Sequence, residues 1–297
     1  MTIKYLVLSG GGAAGFAIYG ALKHLSQNNY WNINNIKRIY STSIGALMSV
    51  FISLKYDWQS LDDYIIKRPW DKVISVKPTN LLNIWSKKGM FDINIIKETL
   101  SVLLTAKDLS ESITLKEFYE YNQIEIHMYT VNINNSIPTK IDLSYKTHPN
   151  LELYKAITMS CAFPIIFTPI CDNSCCYVDG GILNNFPLND CIKSCINYEE
   201  ILAFRACSST KKMDIIDDSN FISYLYCLID GIRKLASTEN EQDDINNIVE
   251  CNLDSNNFYN WKDSITNEKI REEMISTGEK CGEAFLSKQE DISLNSV

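Results

Sequence analysis

Residues 3–8, IKYLVL, form an apolar run that stops abruptly at the glycine-rich stretch SGGGAAG. An apolar run of this length predicts a strand buried on both faces, as in a parallel sheet. Phe16 to Leu25 then carries apolar residues at helical spacing. The order repeats, with a short strand predicted over Ile36–Thr42 and an apolar helix over Ile44–Leu54. Two strand–turn–helix units in succession indicate an α/β fold with a parallel sheet. Residues 57–120 read as mostly helical, with a break at Lys77–Pro78. Strands are expected at Ile124–Val131, Cys175–Val178 and Ile201–Ala206, and a short helix at Lys155–Ser160 ahead of CAFPIIFTP. From Phe221 onward the pattern reads as helices, including Ile222–Leu235 and Ile270–Phe285. No repeat, low-complexity linker or boundary interrupts the chain, so a single domain over residues 1–297 is expected.

Composition narrows the function classes. The chain has 297 residues, 45% of them hydrophobic, enough for a sizeable core. A net charge of −8 argues against general nucleic-acid binding and against simple electrostatic adhesion to an anionic membrane. No run reaches the roughly 18 apolar residues of a membrane span, and the start lacks a signal-peptide pattern. A soluble, cytoplasmic protein is the expectation, with peripheral membrane association left open. Cys171, Cys175, Cys176, Cys191 and Cys195 crowd one region without a C-x-x-C pair. That spacing does not match zinc modules, and free thiols in a reducing compartment are expected.

Two chemistries fit the glycines. Gly10, Gly12 and Gly15 match G-x-G-x-x-G, a phosphate-cradling turn, and they equally suit a loop whose bare amides stabilise an oxyanion. Ser43, in STSIG, stands at the joint of a predicted strand and helix. A turn there lifts a hydroxyl above the strand ends, and the helix N-terminus directs its free amides at the same place. The small flanks are Ser41 and Gly45, where the usual elbow has glycine at both. A serine nucleophile needs a base. Of the three histidines, His24 lies on the first helix and His127 inside a strand; Asp142 followed by His148 lacks strand-end context for a triad. Asp179, at a strand end and followed by Gly180 and Gly181, is the better acceptor. An exposed aspartate is a weak base, and desolvation would raise its pKa toward its task.

Together these pieces resemble the patatin-like phospholipase family. Its glycine-rich loop is similar to Gly10-Gly11-Gly12-Ala13-Ala14-Gly15, its elbow to Ser41–Gly45 and its D-G-[GA] motif to Asp179-Gly180-Gly181. KAITMSCAFPIIFTP at 155–169 resembles the family's proline block, DGGILNNFP at 179–187 extends the D-G-G motif, and KGMFD at 88–92 matches a further segment. The resemblance covers about residues 3–207, leaving 208–297 as a helical extension packed on that core. It implies a three-layer α/β/α patatin-like fold with a mostly parallel central sheet. It also implies a lipid acyl hydrolase, a phospholipase A-type esterase acting on a phospholipid or other fatty-acyl ester. Ser43 would be the nucleophile and Asp179 the proton acceptor. Gly10, Gly11, Gly12 and Ala13 would form the oxyanion hole, supported by Gly15, Ser41, Gly45, Gly180 and Gly181, with no metal or organic cofactor. Two departures stand out: Ser41 replaces a glycine, and Ala14 stands where the family usually has Arg or Lys. They motivate an alternative, a weak or inactive lipid-binding relative.

The glycine loop's other reading, a nucleotide-binding oxidoreductase, needs an acid about 20 residues beyond the loop for the ribose hydroxyls. No Asp or Glu occurs before Asp57. An NADP variant would have to recruit Lys37 or Arg38, which begin the second strand, whereas the ribose is read at its end. Residues 67–88 hold six Lys/Arg against one Asp, with Trp70, Leu81, Leu82 and Trp85 between them. This composition suits a cap helix with its apolar face on the core, and also transient contact with a membrane surface.

Overall fold

A computed structural model describes residues 2–75, 78–172, 174–208, 215–219, 221–238, 245–253 and 263–295. The predicted break at Lys77–Pro78 falls partly outside them. In chain order the strands are β1 (Tyr5–Leu8), β2 (Arg38–Thr42), β3 (Gly89–Phe91), β4 (Glu125–Asn132), β5 (Thr139–Leu143), β6 (Ile165–Phe167), β7 (Ile170–Cys171), β8 (Cys176–Asp179), β9 (Ile201–Ser208) and β10 (Ile248–Leu253). The helices are α1 (Gly15–Gln27), α2 (Ile44–Ser53), α3 (Trp58–Lys67), α4 (Trp70–Val73), α5 (Pro78–Lys87), α6 (Asn94–Thr105), α7 (Leu115–Asn122), α8 (Leu153–Cys161), α9 (Gly181–Asn184), α10 (Leu188–Ser194), α11 (Phe221–Thr238) and α12 (Glu268–Asn295).

Among the described residues the main sheet runs β10-β9-β1-β2-β4-β8-β7, with β5 also on β4. The five strands from β10 to β4 are parallel, and β5, β7 and β8 add antiparallel pairs. Strand periodicity sorts the side chains into two cores. Leu6, Leu8, Ile39, Ile126, Met128, Leu202 and Phe204 join the larger core, with α1, α2, α6 and α8 against it. Val7, Tyr40, Tyr129, Ile201 and Ala203 point the other way, to a smaller core closed by Leu188 and Cys191 of α10. The result is the expected three-layer α/β/α arrangement with a mostly parallel sheet.

Residues 245–253 depart from expectation. The predicted run of helices beyond Phe221 omits β10, which extends the sheet beside β9 in parallel register. Among the described side chains of β10, Val249 and Cys251 are fully buried, while Glu250 between them and Asn252 after them are exposed, so the strand is half-buried. The last helix, α12, lies close along α1. A Cβ at Gly20 would stand 2.1 Å from the carbonyl oxygen of Ile275, and one at Gly278 would stand 1.9 Å from that of Ala17. The two helices approach to backbone contact because neither glycine has a side chain.

The short segments also have roles. KGMFD supplies β3 and the proline block supplies β6, which pair in parallel as a separate two-stranded sheet. Cys171 and Cys176 face each other across β7 and β8 and are joined as a disulfide, so the expectation of free thiols fails at these two positions. Cys175, Cys191 and Cys195 are free. In the basic segment 67–88, Trp70 is buried with its indole N–H donating to the carbonyl of Ile65, and Arg68 lies over its ring. Trp85 is 82% exposed. The side chains of Leu81 and Leu82 lie outside the described residues.

Candidate active site

The glycine loop follows the carboxyl end of β1, and Ser43 follows that of the neighbouring strand β2. The register on β4 brings Asp179 to the same place. Thr42 pairs with Tyr129, and Asp179 pairs with the next residue, Thr130. Three segments far apart in sequence thus converge at one edge of the parallel strands.

Ser43 sits between strand and helix with φ 55° and ψ −126°. A non-glycine residue in this sparsely populated region costs about 1–3 kcal/mol, so the surroundings must hold it. The chief holder is Ser160, fully buried on α8. Its Oγ accepts the Ser43 backbone N–H at 3.0 Å and donates to the carbonyl of Tyr129 at 2.7 Å. The helix behind Ser43 is pressed against β1: a Cβ at Gly45 would lie 2.5 Å from the Leu8 carbonyl oxygen and 2.7 Å from that of Ser9. Ser41 is fully buried, and its hydroxyl donates to the His127 carbonyl at 3.2 Å. The serine in place of glycine is therefore accommodated without exposing or orphaning its hydroxyl.

The Ser43 hydroxyl donates to Oδ2 of Asp179 at 2.6 Å, and the other carboxylate oxygen accepts the Gly181 N–H at 2.7 Å. Asp179 is only 3% exposed. Burial pushes its carboxyl up from 3.8 to about 6. The bonds from Ser43 and Gly181 and the positive charge of Arg233 on α11 pull partly the other way. The neighbouring Cys161 thiol is pushed upward by burial and by the charge of Asp179. None of the three histidines is hydrogen-bonded to Ser43 among the described residues. His127 is held between Glu125 and Asp142, and His148 contacts Thr147.

The glycine loop is fixed at its first residue and free at the next two. Gly10 donates its N–H to the Asn185 carbonyl at 2.9 Å. This corrects its place in the expected oxyanion hole, because the amide is already committed. Among the described residues no acceptor is found for the N–H groups of Gly11 and Gly12. Gly12 has φ 55°, a conformation that favours glycine, and a Cβ there would meet nothing within 4 Å. Gly15 packs against Ile44, directly after the serine. Ala14, at the position where the family usually has Arg or Lys, is fully buried, and its N–H donates to the Gly11 carbonyl at 3.0 Å.

Arg38, a candidate for a dinucleotide phosphate, begins β2 and is paired with Glu125 at the opposite strand end from the glycine loop. Asp57 caps α3 by accepting the Ser60 N–H. A family model described as patatin-like phospholipase matches residues 6–192, more than half of the chain. The chain belongs to the patatin-like phospholipase family.

Among patatin-like relatives, "Probable lipid hydrolase 463L" of Invertebrate iridescent virus 6 is 32% identical over 196 residues, covering 64% of this chain and 63% of the relative. "Uncharacterized protein R571" of Acanthamoeba polyphaga mimivirus is 30% identical over 187 residues, covering 63% of this chain and 60% of the relative. The matches therefore span less than two thirds of either relative. The crystal structure of VipD from Legionella pneumophila aligns with TM-score 0.49 at 17% identity, covering 94% of this chain and 67% of that one. Among the described residues no helix is long and apolar enough to cross a membrane.

Sequence reasoning singled out Ser43 and Asp179 but not the residues that position them. Ser160 lies within the proline block, and Asn185 within DGGILNNFP, yet neither carries a signal of its own. Asn184 accepts the Thr42 hydroxyl at 2.8 Å through its carbonyl, so the two asparagines after the D-G-G motif fasten it to both other segments.

Proposed function

We propose that the protein is a lipid acyl hydrolase in which Ser43 is the nucleophile and Asp179 its general base. The observation that carries this reading is the 2.6 Å hydrogen bond from the Ser43 hydroxyl to a buried carboxylate. Membership of a lipid hydrolase family supplies the substrate class, a fatty-acyl ester of a phospholipid or similar lipid.

Asp179 removes the hydroxyl proton as Ser43 Oγ bonds to the ester carbonyl carbon. The carbonyl electron pair moves onto oxygen, where the N–H groups of Gly11 and Gly12, with Ala13 beside them, receive it. A missing donor of this kind typically costs about 10²–10³ in rate. The tetrahedral species collapses, the ester C–O bond breaks, and the alcohol or lysolipid leaves with the proton from Asp179. Water then attacks the acyl-serine, gives a proton to Asp179, and releases the fatty acid and the Ser43 hydroxyl. A base with pKa about 6 is mostly ionised at neutral pH and accepts a proton more readily than an exposed aspartate.

Hydrolysis of a phospholipid panel by wild type, Ser43→Ala and Asp179→Asn tests the reading. Released fatty acid should fall by at least about 10³ in both variants if they act as a unit. A folded wild type inert toward every ester, soluble or aggregated, would make it a lipid-binding relative instead.

A further inference from the structure

The cysteine-rich stretch 171–195 has two different outcomes in the fold. Cys171 and Cys176 are joined, whereas Cys191 and Cys195 are free thiols whose sulfurs stand 3.6 Å apart. Cys191 lies on α10 and Cys195 caps its carboxyl end. A separation of four residues stacks two side chains on one face of a helix. It also places their Cα atoms about 6 Å apart, within the span of a disulfide, whose sulfurs bond at about 2.05 Å. Side-chain rotation is enough to close the gap.

The surroundings give the two sulfurs different roles. Cys191 is fully buried in the smaller core, among residues that include Val7 and Tyr40. Cys195 is half-buried at the helix end, where solvent reaches it. Arg38 stands beside it, donating to the carbonyl of Ser194 at 3.2 Å. The Cys191 thiol and the Arg38 cation draw the Cys195 thiol below its ordinary value, against burial and the charge of Glu200. Burial pushes the Cys191 thiol up. A reachable sulfur with thiolate character therefore lies against a protonated one shielded from water.

We infer that Cys191 and Cys195 form a thiol–disulfide exchange site for small disulfides of the glutathione type, with Cys195 the attacking sulfur and Cys191 the resolving one. The Cys195 thiolate bonds to one sulfur of the small disulfide. The S–S bond breaks, and the first small thiolate leaves and takes up the proton that Cys195 lost. Cys191 then gives up its proton and attacks the Cys195 sulfur of the mixed disulfide. The second small thiolate leaves with that proton. The two cysteines lose two electrons, and the small disulfide gains them as two thiols. The bridge closes over a helix end already fastened to the sheet, since Ser194 is hydrogen-bonded to Tyr40 and Arg38 of β2. Arg38 begins β2 and Ser43 follows its other end, so the exchange uses neither Ser43 nor Asp179 and stands apart from the hydrolase reading.

The test treats the reduced full chain with glutathione disulfide at neutral pH, quenches it in acid, blocks free thiols with N-ethylmaleimide and digests it with trypsin. Lys193 lies between the two cysteines, so cleavage there leaves peptides that stay together only through a bridge. Wild type is expected to give this joined pair, with fragmentation placing the link between Cys191 and Cys195. Cys191→Ala should lose the bridge and retain glutathione on Cys195 at a level at least about tenfold above wild type. Cys195→Ser should show neither the bridge nor the adduct. A wild type that forms no bridge, or that links Cys195 to a different cysteine, overturns the inference. So does glutathione held on Cys195 equally in wild type and Cys191→Ala, since Cys191 then resolves nothing. The wild-type peptide map decides by itself if either variant fails to fold.

Discussion

Replacing Asp179 with asparagine should make the protein more stable at neutral pH while disabling it. The carboxyl is 3% exposed, and burial raises it from 3.8 to about 6. A shift of about two units, at 1.36 kcal/mol each, means that keeping this group ionised in the fold costs about 3 kcal/mol at pH 7. Between about pH 4 and pH 6 the folded chain holds more protons at this position than the unfolded one. Stability from this group is therefore fully present below about pH 4 and is lost as pH rises through 6. Asparagine keeps the shape: its Oδ1 can accept the Gly181 N–H, and its Nδ2 can donate to the Ser43 oxygen. It removes the charge and so relieves up to about 3 kcal/mol at pH 7, and almost nothing near pH 4. Urea denaturation of wild type and Asp179→Asn at both pH values measures the gap. A variant no more stable than wild type at pH 7, or a gap that does not close toward pH 4, would refute the reasoning. The same titration should appear in catalysis, with kcat/KM on a soluble ester falling as pH drops below about 6.

Other substitutions probe the supports. Ser160→Ala leaves the Ser43 N–H and the Tyr129 carbonyl without their shared partner. It should cost about 1–3 kcal/mol by denaturation and lower kcat about tenfold or more, with KM little changed. Gly45→Ala drives a methyl group into two backbone carbonyl oxygens of β1 and the residue after it. A loss of about 3 kcal/mol or more, or failure to fold, is expected, and soluble protein with wild-type melting behaviour would contradict the close packing. Trp85→Ala, at the exposed tryptophan of α5, should reduce hydrolysis on vesicles more than on a soluble ester. Equal loss on both removes its interfacial role.

The fold was readable where local signals agree with long-range pairing. The run at 3–8 is apolar because most of β1 is buried on both faces, and the small residues after β1 and β2 mark turns that the sheet requires. Strand β10 was not readable, because IVECNL alternates the exposed Glu250 and Asn252 with the buried Val249 and Cys251, and its partner β9 lies about 45 residues earlier in the chain. Likewise, Ser43 and Asp179 announce themselves through turn chemistry at strand ends. Ser160 does not, since a serine inside a helix has no local meaning. Its importance comes from a contact 117 residues away in sequence. Gly10 shows the converse: its motif suggests a free amide, and only the folded chain reveals that Asn185 already uses it. Which face of α11 turns outward was not readable either: Phe221, Tyr224, Leu228 and Ile232 are exposed, whereas an apolar stripe in a sequence ordinarily points to the core.

The most direct test of the central claim is covalent labelling of the folded chain with a fluorophosphonate, read by intact mass and peptide mapping. The account predicts one adduct in the wild type, carried by Ser43 and absent from Ser43→Ala. An unlabelled wild type, or an adduct that survives the loss of Ser43, would contradict it.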